Sequence, residues 1–184
     1  MKIKNKIESM NIINKKKLNK FPESFFKENE EDKIKRFLKK YPATYYAIRD
    51  KSTARGNFKL KVKAEDVIKE TKKYKTFTIN VSSFNYIENQ ILNGDIAFFK
   101  NGDVYVYLSS HKEATGREED IPYEYNYKTN IFDKRLNEIP YFDYIYNYIV
   151  NHDLLDMIVE ISLFNINVGI NNEKIIIYEI RTEY

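Results

Sequence analysis

The dipeptide Asn101-Gly102 lies between two alternating apolar runs, Asp95 to Phe99 and Val104 to Leu108, and commits the chain to an antiparallel hairpin there. Both residues tolerate positive φ, so a type I′ turn can reverse the strands within two residues. A lone hairpin is marginally stable in water, so further strands and a covering layer have to come from elsewhere. Phe58 to Lys63 alternates strictly, with Phe58, Leu60 and Val62 toward one face and Lys59, Lys61 and Lys63 toward the other. Thr44 to Arg49 alternates with aromatic residues and reads as a second strand; the intervening "DKSTARGN", with its single Gly56, reads as a turn. Thr76 to Val81, "MIVEISLF" and "KIIIYEIRTEY" add three more, the last two joined through Gly169 and Asn171-Asn172.

Helical signals fall between these runs. Glu28 to Lys40 can form a charged helix that must stop near Tyr41, because Pro42 disfavours helical geometry in the residue before it. Ala64 to Lys73 has acids in its first turn and lysines in its last, the order a helix dipole favours. Tyr141, Tyr144, Ile145, Tyr148 and Ile149 share one helical face. Residues 1–20 read as a loose arm or a short amphipathic helix with an apolar patch at Met10, Ile12, Ile13 and Leu18, and residues 110–139 as a surface excursion. The expected fold class is α+β, with mostly antiparallel sheet and about three helices. It divides into a basic N-terminal arm and helix over 1–40 and a single α+β domain over 41–184.

The 184 residues, 42% of them apolar, suffice for a real core and exclude a disordered chain. With no cysteine, disulfide scaffolds and thiolate metal sites are ruled out. No run reaches the roughly 18–20 apolar residues that span a bilayer, and the lysine-rich start lacks the features of a secretory signal. A soluble, cytoplasmic protein without a membrane partner is expected. Charge is unevenly distributed: residues 1–75 hold 23 Lys/Arg and 10 Asp/Glu, the remainder 8 and 17. Such asymmetry suits a basic segment for a polyanion, or oppositely charged lobes facing a shared cleft.

Charges within apolar strands locate the chemistry, because an unpaired buried charge is costly. Glu160 shares a face with Ile158 and Ser162, while Glu179 and Arg181 share one with Ile175 and Ile177 by simple alternation. If the two strands pair with Glu160 and Glu179 on one face, the carboxylates need a cation between them, either Mg²⁺ bridging to phosphates or an arginine in a structural pair. Near the other end, Arg49, Lys51, Arg55, Lys59 and Lys61 make a phosphate-sized positive set, or a lysine-protected strand edge. Ser82, Ser83, Asn85, Glu88 and Asn89 form a polar cluster after a strand, suited to a ligand or to capping turns. His111 and His152 have no histidine or cysteine at ligand spacing, which argues against zinc hydrolysis.

The run "YYAIRDKSTARGNFKLKVKAEDVIKETKKYKTFTINV", the hairpin "GDIAFFKNGDVYVYLS" and the ending "IVEISLF" plus "IIIYEIRTEY" resemble, in order, the ATP-grasp superfamily. The resemblance covers roughly residues 44–184. It implies a two-lobed α+β fold that holds ATP and Mg²⁺ and activates a carboxylate as an acyl phosphate. By that resemblance Glu160 and Glu179 are the metal ligands, and Arg49 with Lys59 or Lys61 contacts phosphates; Lys51 and Arg55 of the loop are cofactor-binding candidates through the positive set they share with these residues. Arg181 would face the transferred phosphoryl group or the acid substrate. The sequence departs from the family pattern in its single loop glycine, in Arg49 where lysine is usual, and in Arg181 where asparagine is usual. The implied partners are a nucleotide and a small-molecule acceptor. A different class stays open: a non-enzymatic protein whose residues 1–75 contact nucleic acid or an acidic protein.

Overall fold

A computed structural model describes residues 3, 6–51, 57–110 and 123–182. In chain order the helices and strands are α1 (Lys6–Lys15), β1 (Glu23–Lys27), α2 (Glu31–Lys40), β2 (Tyr45–Asp50), β3 (Phe58–Lys63), α3 (Val67–Thr71), β4 (Thr76–Val81), β5 (Gln90–Phe98), β6 (Asp103–Ser109), β7 (Tyr123–Asn130), α4 (Phe142–Asn151), β8 (Ile158–Val168) and β9 (Glu173–Arg181). Short 3₁₀ turns at Ala64–Asp66, Ser83–Asn89 and Lys134–Glu138 complete the set. The class is α+β, and every strand pairing among the described residues is antiparallel. No described helix is long and apolar enough to cross a membrane.

The chain forms two compact units, Phe21–Ile87 and the combination of Met1–Lys20 with Glu88–Tyr184. Residues 1–40, grouped as an arm and helix by sequence, thus contribute to both: α1 to the larger unit, β1 and α2 to the smaller.

In the smaller unit the sheet order is β1-β4-β2-β3. Helix α2 is amphipathic, buries Ile34 and Phe37, and ends where Pro42 requires. Its exit is fastened by Tyr46, whose hydroxyl donates to the Tyr41 carbonyl at 2.7 Å and accepts from Ala43 N–H at 3.0 Å. Phe37 packs on Phe26 and Tyr46, and Tyr74 on Phe77, so the helices cover the face bearing Phe26, Tyr46, Ile48, Phe77 and Ile79. The strict alternation of β3 does not survive. Tyr46 pairs with Val62 but Ile48 pairs with Lys59, so a bulge between them puts three β3 steps opposite two of β2. Val62 and Lys59 therefore share the helix-covered side, and Phe58 turns to the opposite side with its register partner Arg49.

The larger unit has sheet order β7-β6-β5-β8-β9. The Asn101-Gly102 hairpin is present, with a different turn from the expected type I′. Phe99 N–H bonds Asp103 O, Gly102 N–H bonds Phe99 O, and only Gly102 has positive φ, at +90°. This is a three-residue loop with a glycine bulge. Asn101 is instead held by Asp103, accepting from its N–H at 3.0 Å and donating to its carboxylate at 2.7 Å. Leu92, Ile96, Val104, Val106, Val159, Ile161, Ile175 and Ile177 meet Ile145 and Ile149 of α4 and Ile13 and Leu18 of the N-terminal segment in one core. Two further strands lie outside the sequence expectation: β1, and β7 within the presumed surface excursion.

Residues 6–20 are built into this unit. Ser9 Oγ accepts the N–H of Ile180 at 2.7 Å, so α1 satisfies part of the edge of β9. Asn19 is fully buried and fastens the β8–β9 hairpin. Its Nδ2 donates to Val168 O at 2.9 Å and Ile175 O at 2.8 Å, and its Oδ1 accepts from Asn171 N–H at 2.8 Å. Its own N–H donates to the Tyr148 hydroxyl at 3.1 Å, and its carbonyl accepts from Ile177 N–H at 2.9 Å.

Candidate functional site

The basic residues of the smaller unit part company in the structure. The face opposite α2 and α3 carries a cross-strand row, Phe25–Thr78–Arg49–Phe58, through all four strands. The Arg49 guanidinium lies 4.4 Å from the Phe58 ring centre, and Phe25 and Phe58 are 55% and 45% exposed. Lys61 lies 3.9 Å from the Phe84 ring centre and 5.5 Å from that of Tyr45, and these two rings meet edge to face at 5.2 Å. Lys51 is exposed just past β2, its N–H bonded to Thr76 O. Arg55 lies outside the described residues.

Lys59 is on the other side, contrary to the simple alternation, because of the β3 bulge. Its ammonium pairs with Glu70 at 2.9 Å, and Glu70 also accepts from Lys73 at 2.7 Å and the Tyr74 hydroxyl at 2.9 Å. Burial alone would raise the Glu70 pKa; the bonds from Lys73, Lys59 and Tyr74 outweigh it and hold the carboxyl at about 2. Burial and the Glu70 charge push the Tyr74 phenol to about 12. With an unfolded value of 4.5 and a depressed folded value, Glu70 stabilises the fold fully above pH 4.5, and this contribution fades as pH falls toward 2. Glu70→Gln is expected to flatten the acid limb of a stability–pH curve in that window; an unchanged slope in urea titrations would contradict the assignment.

Ser82 and Asn85, expected as ligand or turn residues, hold turns. Ser82 Oγ donates to Leu60 O at 2.6 Å, and Asn85 accepts from the N–H groups of Thr44 and Tyr45 while donating to Tyr45 O. His152 stacks on Tyr148 at 4.1 Å with Nδ1 2.8 Å from the Tyr148 carbonyl; His111 lies outside the described residues.

In the larger unit the acidic residues do converge. Glu160 and Glu179 are register partners on β8 and β9. They reach this position through a second bulge: Ile161 pairs with Ile177, Glu160 with Glu179, and Tyr178 is the extra residue. Ile175, Ile177 and Ile180 therefore face the core, and Glu179 and Arg181 face away from it, correcting the shared face that alternation predicts. The row continues on β5 and β6, because Asp95 pairs with Glu160 and with Tyr107. Asp95 was not among the sequence candidates, although it is the same signal, an acid inside an apolar strand. Arg181 Nη2 meets Asp95 Oδ2 at 2.5 Å, with the two side chains 30% and 17% exposed. Burial presses the Arg181 pKa down; Asp95, then Glu179 and Glu160, outweigh it and leave the guanidinium above its ordinary value.

Mg²⁺ typically takes one or two carboxylates and fills its other positions with water and phosphate oxygens. Glu160 and Glu179 fit that donor chemistry. Among the described residues no group of three or more His, Cys, Asp or Glu is arranged to hold a metal by itself.

No protein-family model and no curated protein matches the chain. Solved structures do. An ADP complex of N5-carboxyaminoimidazole ribonucleotide synthetase aligns with 100% of this chain and 45% of its own at a TM-score of 0.54 and 10% identity. D-alanyl-alanine synthetase A from Vibrio cholerae O1 biovar eltor str. N16961 aligns with 97% of this chain and 54% of its own, at a TM-score of 0.50 and 16% identity. The chain thus spans about half the length of the structures it matches. At this identity the likeness concerns the fold, which is ATP-grasp-like.

Proposed function

We propose that this chain binds ATP with Mg²⁺ and serves a small ligase or phosphotransferase reaction on a carboxylate or similar acceptor. The observation that carries the reading is the pairing of Glu160 with Glu179 on adjacent strands of an ATP-grasp-like fold. These two carboxylates would hold the metal, which when bound offsets phosphate charge and orients the terminal phosphate. Arg49 and Lys61, together on the face of the smaller sheet opposite α2 and α3, would bind phosphate oxygens. Lys51 and Arg55 adjoin them in sequence, whereas Lys59 is committed to Glu70. Arg181 would meet the transferred phosphoryl group or the acceptor acid. An acceptor carboxylate would attack the γ-phosphorus, the bond to the bridging oxygen would break, and ADP would leave as the acyl phosphate forms.

Calorimetry of ATP binding with and without Mg²⁺ tests this directly. Metal-dependent binding is expected, and Glu160→Ala with Glu179→Ala should abolish it while circular dichroism stays unchanged. Equal affinity in the double variant would sink the proposal. Absence of any nucleotide binding would favour instead a macromolecular partner for residues 1–75, recognisable by a steep salt dependence.

A further inference from the structure

The acid row carries its own cation. Asp95, Glu160 and Glu179 stand side by side on β5, β8 and β9, and Arg181 of β9 is opposite Ile158 of β8, two residues past Glu179 on the same face. Because β8 separates β9 from β5, a 2.5 Å contact between Arg181 and Asp95 requires the guanidinium to lie across β8, beside Glu160. The positive charge of Arg181 thus occupies ground over which a divalent ion would approach the two glutamates.

We propose that the Asp95–Arg181 ion pair keeps free divalent cations off Glu160 and Glu179, so that metal enters this site only as a nucleotide complex. Asp95 is the positioning residue: it draws the guanidinium away from solvent and across β8. A free dication meets twofold-charged repulsion from Arg181 at short range in a half-buried site. A metal–nucleotide complex differs in two ways. Its net charge is negative, and its phosphate oxygens offer Arg181 a bidentate partner that can replace Asp95. The inference rests on Glu160 and Glu179 being the metal ligands, but not on any turnover.

The test is Mn²⁺ binding to the full chain without nucleotide, read by electron paramagnetic resonance of the free ion. Wild type and Arg181→Lys are expected to bind free Mn²⁺ weakly, and Arg181→Gln to bind about tenfold more tightly or better. Adding Glu160→Gln and Glu179→Gln to Arg181→Gln should erase that gain. Arg181→Gln binding no tighter than wild type, or wild type already binding as tightly as the variant, would overturn the proposal. Should Arg181→Gln fail to fold, the wild-type Arg181 Nε–Hε resonance decides: millimolar Mg²⁺ alone should leave it in place, and a shift on adding Mg²⁺ alone would overturn the idea. The two readings can be told apart. Gain of Mn²⁺ binding in Arg181→Gln without any Mg·ATP binding in wild type sinks the ATP function and with it the entry as a nucleotide complex, leaving Arg181 as the barrier to free cations; Mg·ATP binding without that gain sinks only the gate.

Discussion

Asn19→Ala is expected to lower the unfolding free energy by about 3–5 kcal/mol, a large effect for one surface-sized polar side chain. Asn19 is fully buried, and its amide answers two carbonyls, Val168 O and Ile175 O, and one N–H, that of Asn171. Truncation leaves the carbonyls of Val168 and Ile175 without that partner in a buried site, at roughly 1–3 kcal/mol each before relaxation, and the Asn171 N–H in a partly exposed one, at less. Asn19→Asp should cost as much, since a carboxylate retains the acceptor for Asn171 but faces the two carbonyls with no donor. Gly169→Ala attacks the same place from the other side: its φ is +77°, and an added Cβ would stand 2.5 Å from Asn19 Oδ1. Urea unfolding of the three variants checks the set, and a loss below about 1 kcal/mol for Asn19→Ala would show that the hairpin is fastened elsewhere.

Phe77→Ala should destabilise the smaller unit by about 3–5 kcal/mol. The ring is almost fully buried, 6.0 Å from Phe26 and 6.3 Å from Tyr74, centre to centre, so its removal opens a cavity among aromatic rings that cannot easily close. Phe25→Ala is the matched control. Phe25 is one step along the same strand as Phe26, but it is 55% exposed on the opposite face, and its loss should stay within about 0.5 kcal/mol. Comparable losses at both positions, measured by thermal and urea unfolding, would mean that the assigned faces of the sheet are wrong.

Two bulges explain most of the distance between what residues say and where they end up. Period-two reading gave β3 its bounds, Phe58 to Lys63, and put most of β9 within "KIIIYEIRTEY", because Phe58, Leu60, Val62 and Ile175 to Ile177 carry strong alternation or an apolar run. It could not see that Lys59 or Glu179 changes side, since a bulge is set by the partner strand's register and twist rather than by local composition. The charged residues are the ones affected: Lys59 leaves the candidate phosphate face for Glu70, while Glu179 and Arg181 leave the isoleucines and join Glu160. Asp95 was legible, as an acid following Gly94 within "GDIAFF", and so was β7, where Tyr123, Tyr125 and Tyr127 recur at every second residue. Strand β1 was harder: it is five residues long and follows Pro22. The pairing of Glu160 with Glu179 followed from sequence in kind; the arginine laid across them did not, because it depends on which strand lies beyond β8.

The edge of β9 is closed by residues far earlier in the sequence, through Ser9 to Ile180 and Asn19 to Ile177. This orders events at the ribosome. Residues 21–87 form a unit continuous in sequence, so all of its strand partners are present once residue 87 has emerged. Residues 6–20 are made before residues 21–87 and must wait for β8 and β9, made after them, before Ile13, Leu18 and Asn19 find their places. Throughout that interval the side chains of Ile13 and Leu18 and an unfinished sheet edge remain open to other chains, so nascent protein should depend on chaperones more than the finished molecule's stability would suggest.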